Sequence, residues 1–141
     1  MNPTRKLFLA PALALALATA AGCGSSEDND FVESYNAATA PLTELTTSIS
    51  GAPDEQSLDK MATGLEDVKG KLAALDAPDD AQDELDALVA SIEANTAQVR
   101  KMSKAVKSQD VEKLSAVAAS FSTEGQKLVA AEEALRAAVD G

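Results

Sequence analysis

Few residues in this chain could carry chemistry, and most of them stand alone. Its 141 residues include no His and no Trp, one Cys (Cys23) and one Tyr (Tyr35). Without imidazole there is no His-based general base, no Ser-His-Asp triad, no Cys/His zinc set and no Glu-x-x-His metal pair. Ser57-Leu58-Asp59-Lys60 has the S-x-x-K spacing that sets a serine one helical turn from a lysine. The partner motifs Ser-Asp-Asn and Lys-Thr-Gly are missing, so the segment reads as an exposed helix start. Asp76, Asp79, Asp80, Asp83, Glu84 and Asp86 gather oxygen ligands of the kind calcium takes. They lack the glycine turn and ligand alternation of an EF-hand, and the plainer reading is a solvated helix N-terminus. No catalytic, cofactor or metal site is expected, and the chain reads as a non-enzyme.

Binding is better supplied than catalysis. Arg100, Lys104 and Lys107 fall on one face of a helix, with Lys101 beside them. Cations near a helix C-terminus suit its dipole and can pair with acids on neighbouring helices; the same three residues are the candidates for docking an anionic partner. Asn95 occupies a position where its helix calls for an apolar side chain, the pattern by which a buried amide fixes register between helices. Gly125 lies inside a helical stretch, where it costs about 1 kcal/mol relative to Ala and points to close helix approach or a bend. A formal charge of -11 repels phosphate backbones, so nucleic acid is not an expected partner.

The elements that must position these residues begin after an N-terminal address. Met1 to Lys6 carries Arg5 and Lys6, and Leu7 to Ala21 is then free of charge. At about 15 residues, interrupted by Pro11, this stretch is shorter than the roughly 20 that span a bilayer core, and it has the n-region and h-region of a secretory signal. The following Ala20-Ala21-Gly22-Cys23 resembles the bacterial lipobox, with Ala20 where Leu is usual. That resemblance implies a signal peptide over 1–22, a diacylglyceryl group on the Cys23 sulfur, cleavage before Cys23, and anchoring at the outer face of the cytoplasmic membrane. Two or three acyl chains hold where one would be marginal. The mature chain would carry 10 cationic and 23 acidic side chains, a charge of -13. Residues 23–30 read as the lipidated cysteine and a polar tether, and 31–141 as one folded domain.

From Phe31 onward the pattern is helical. Phe31, Tyr35, Ala38, Leu42, Leu45 and Ile49 keep one apolar stripe, with Pro41 expected to kink or restart the helix. Gly51 and Pro53 mark a break. Leu58, Met61, Leu65, Val68, Leu72 and Leu75 form a second stripe, ended by Asp76–Asp80, where Pro78 can open the next helix. Ala81, Leu85, Leu88, Ile92, Asn95, Val99, Met102 and Val106 make a third. After a weaker break at Ser108–Asp110 come Val111, Leu114, Ala118, Phe121, Gly125, Leu128, Ala131, Leu135 and Ala138. The expected fold is all-α, an antiparallel up-down-up-down four-helix bundle; the alternative is a three-helix bundle in which the last two segments fuse into one long or kinked helix. Leu, Ile, Val and Phe supply 24 of the 119 residues from Cys23 onward, so the core is modest and depends on sustained helical patterning.

Phe31-Val32-Glu33-Ser34-Tyr35-Asn36-Ala37-Ala38 and Leu75-Asp76-Ala77-Pro78-Asp79-Asp80-Ala81-Gln82 are also similar to small helical lipoproteins of actinobacteria. This resemblance implies a cell-envelope setting and brings no activity with it. The sequence therefore points to a membrane-tethered, non-catalytic interaction or structural module, with an envelope protein or an anionic envelope polymer as the expected partner of Arg100, Lys104 and Lys107. The alternative is a carrier holding a lipid or small hydrophobic ligand in a groove between helices.

Overall fold

The computed structural model describes residues 26–47 and 54–140, and among them every regular element is helical. The order is α1 (Ser26–Thr47), α2 (Glu55–Leu72), α3 (Gln82–Lys107) and α4 (Val111–Asp140). Consecutive helices pack side by side in an antiparallel up-down-up-down bundle, and the three-helix alternative is set aside. The signal segment, Cys23, Ile49 and the Gly51–Pro53 break lie outside the described residues.

The break that separates α3 from α4 is built by hydrogen bonding. Gln109 N–H donates to the Val106 carbonyl at 3.1 Å, and Asp110 N–H donates to the Ala105 carbonyl at 3.1 Å. This is the Schellman pattern, with Gln109 at φ 53° in the left-handed position that glycine usually fills. Asp110 then starts α4, accepting from Lys113 N–H at 3.0 Å. Asp54 does the same for α2, accepting from Ser57 N–H at 2.7 Å.

One local expectation is narrowed and one is corrected. Pro41 lies inside α1 without restarting it. Its missing N–H leaves the Ala37 carbonyl without its helical donor, a cost of roughly 3 kcal/mol in a lone helix, but Ala38 and Leu42 on either side are buried, and their packing holds the turn together. Pro78 opens a turn rather than a helix: its carbonyl accepts from Ala81 N–H at 2.8 Å, and α3 begins only at Gln82. The helix starts there without a side-chain cap. Gln82 instead reaches back, its Oε1 accepting from Ala77 N–H at 3.3 Å while its Nε2 donates to Asp86 at 3.2 Å.

The core follows the four stripes. Phe31, Tyr35 and Leu42 from α1, Leu58, Leu65, Val68 and Leu72 from α2, Leu85, Leu88, Ile92 and Val99 from α3, and Leu128 and Leu135 from α4 form one buried cluster. Each such side chain contributes about 1.5–3 kcal/mol on burial. The stripe of α4 is the least completely buried. Leu114, Ala118 and Phe121 are half-buried, and Val111, expected on the inner face, is 75% exposed.

Candidate functional site

The seam between α2 and α3 sets two of the three basic residues singled out by sequence, Arg100 and Lys107, against acids of α2. Lys107 Nζ meets Glu55 Oε1 at 2.7 Å, and Arg100 Nη2 meets Glu66 Oε1 at 2.7 Å. Between them Ser103 Oγ donates to Asp59 Oδ1 at 2.7 Å, and farther along Lys69 approaches Glu93 at 3.6 Å. Partners descend α3 as they ascend α2, which is the antiparallel register expressed in side chains. The hydrogen bond from Lys107 to Glu55 raises the lysine's pKa. These pairs are exposed, so each contributes little to stability, but together they align the two helices. Lys104 lies between Arg100 and Lys107, exposed and without an ion-pair partner among the described residues.

Sequence reasoning singled out Asn95 and Gly125 separately; the structure brings them together. Asn95 is 1% exposed, and its Nδ2 donates both to the Ser91 carbonyl of its own helix at 2.9 Å and to the Glu124 carbonyl of α4 at 3.1 Å. Two carbonyl partners require the nitrogen to be on that side of the amide. The residue next to Glu124 is Gly125, itself buried, so α4 presents backbone rather than side chain where the amide crosses. The Asn95 Oδ1 has no hydrogen-bond partner. Thr39 and Thr96 are buried too, and each donates back to a carbonyl four residues earlier, at 3.0 and 2.8 Å. Sequence reasoning did not single out either one.

Tyr35 is the largest wholly buried side chain among the described residues. Its ring is 6.2 Å from that of Phe31, and its hydroxyl has no hydrogen-bond partner. Burial pushes the phenol pKa well above its ordinary value, with Glu132 acting in the same direction and Arg136 against it.

Among the described residues no cluster of three or more carboxylates or thiols is placed to hold a metal, and no helix is long and apolar enough to cross a membrane. Cys23 lies outside the described residues; α1 begins three positions after it, within the stretch expected to be a tether. Compared with known proteins, the chain matches no family model, no curated protein and no solved structure.

Proposed function

We propose that this is a lipid-anchored helical module of the bacterial cell envelope, held at the outer face of the cytoplasmic membrane through Cys23 and acting by binding or structural support rather than by catalysis. The observation that carries the reading is Ala20-Ala21-Gly22-Cys23 standing after an uncharged stretch and directly before a helical bundle. Because α1 starts at Ser26, only about 11 Å of chain separates it from Cys23 at 3.6 Å per residue. The bundle would therefore stand on the bilayer with the Asp76–Asp80 connector toward it and the Ser108–Asp110 turn away from it.

Within this reading the docking stripe of Arg100, Lys104 and Lys107 lies in the outer half. Arg100 and Lys107 are engaged with Glu66 and Glu55, which leaves Lys104 as the charge best placed to meet an anionic envelope partner. Mass measurement of the mature N-terminus tests the anchor. A diacylated Cys23 at the terminus, lost in Cys23→Ala together with lipoprotein-type cleavage, is expected; an unmodified terminus beginning elsewhere overturns the reading.

A further inference from the structure

Helix α1 has the least extensive packing of the four helices. Among the described residues α2 and α3 each pack along two helices, while α1 and α4 each pack closely along one, and α1 meets α2 over a smaller interface than the one joining α4 to α3. Side chains bring α1 and α4 together, and there the fit is incomplete. Tyr35 is wholly buried with Glu132 and Arg136 near enough to act on its hydroxyl, yet that hydroxyl makes no hydrogen bond. A buried hydroxyl without a partner retains its whole desolvation cost, and any motion that returns it to water recovers that cost. Pro41 adds a second weakness, because the helix lacks one of its own hydrogen bonds two turns farther on.

We propose that α1 is a hinged arm that opens as one cooperative unit from a core of α2, α3 and α4, and that the Tyr35 seam with α4 is where it yields. Opening in parts rather than all at once is the behaviour of an element with few tertiary neighbours. Opening carries Phe31, Ala38 and Leu42 into water together, since they share one face of a continuous helix. The 22 residues of α1 span about 33 Å. An opened arm therefore changes how far the core stands from residue 23 without unfolding it. The proposal concerns α1 and the core alone and holds whether or not Cys23 is lipidated.

Hydrogen exchange of the full chain in a mild detergent, read by mass spectrometry, tests it. Amides of residues 31–45 are expected to exchange at one shared rate, at least roughly tenfold faster than those of residues 85–102 and 125–135. In Tyr35→Phe the shared rate should fall by roughly tenfold, because the unpaired hydroxyl is gone. Protection of α1 equal to that of α3, or graded fraying with no shared rate, overturns the arm; an unchanged or faster rate in Tyr35→Phe overturns the role of the seam. Thiol labelling gives a second measurement in chains carrying Cys23→Ser. Ala38→Cys on α1 should react faster than Ala105→Cys on α3, both sites being buried, and equal rates count against the proposal.

Discussion

The side-chain amide of Asn95 in α3 donates across the core to the main-chain carbonyl of Glu124 in α4, 3.1 Å away. A side chain that satisfies a backbone acceptor of its neighbour fixes the level at which two helices meet, because sliding α4 by one turn would strand the amide in an apolar layer. The price is the buried Oδ1, which has no donor. Asn95 thus trades stability for register.

Replacing Asn95 therefore has opposite consequences according to what replaces it. Asn95→Leu removes both polar atoms at similar volume and should leave thermal stability unchanged or raise the midpoint by a few degrees, while amide signals of α3 and α4 broaden as register loosens. Asn95→Asp sets a carboxylate against two carbonyls and should cost about 3–5 kcal/mol at pH 7. Denaturant titrations of the two variants check the contrast, and similar stabilities would show that the amide's bonds do not matter.

Gly64 and Gly70 lie on the same helix and should respond differently to alanine. A Cβ at Gly64 would overlap Leu45 Cδ1 of α1 and lie 3.1 Å from its Cγ, whereas nothing stands within 4 Å of one at Gly70. Gly70→Ala should stabilise by up to about 1 kcal/mol through helix propensity alone. Gly64→Ala should lose that gain to displacement of Leu45 and recover it when Leu45→Ala is introduced. A double-mutant cycle measures the coupling, and additive effects would mean that Leu45 moves aside at no cost.

Gln109 pays for its left-handed backbone. A non-glycine residue there costs about 1–2 kcal/mol, and the side chain is exposed, so nothing is lost by removing it. Gln109→Gly should raise stability by up to about 1 kcal/mol while leaving the α3–α4 break in place. Thermal unfolding measures the gain.

The two aspartate caps predict how the bundle responds to acid. The backbone hydrogen bond from Ser57 lowers the Asp54 pKa, and the side-chain hydrogen bond from Lys113 lowers that of Asp110. Depressed carboxylates stabilise the folded chain fully above their unfolded pKa of about 3.9 and lose that contribution as pH falls through the folded value. The amide signals of Ser57 and Lys113 should therefore titrate with midpoints below 3.9 in an NMR series. Midpoints at or above it would remove both caps as acid-sensitive points.

Period-3.6 patterning by itself determined the four helices and most of the core, because which residues share a helix face depends only on local geometry. Leu58, Leu65, Leu85, Leu88, Ile92, Leu128 and Leu135 all stand on stripes read from sequence and all are buried. The absence of His likewise removed the chemistries that need an imidazole. Whether a neighbour reaches a given level of a stripe is not a local property. Val111 follows the apolar period yet stays exposed, standing at the first residue of α4. Propensity left a kink or a restart open at Pro41, and the tertiary structure carries α1 through it as one helix. Only the tertiary structure paired Lys107 with Glu55, 52 residues away, and aimed Asn95 at the backbone beside Gly125. Those relationships depend on how far one helix is shifted along another, which the short connections and the fit of the whole core set together.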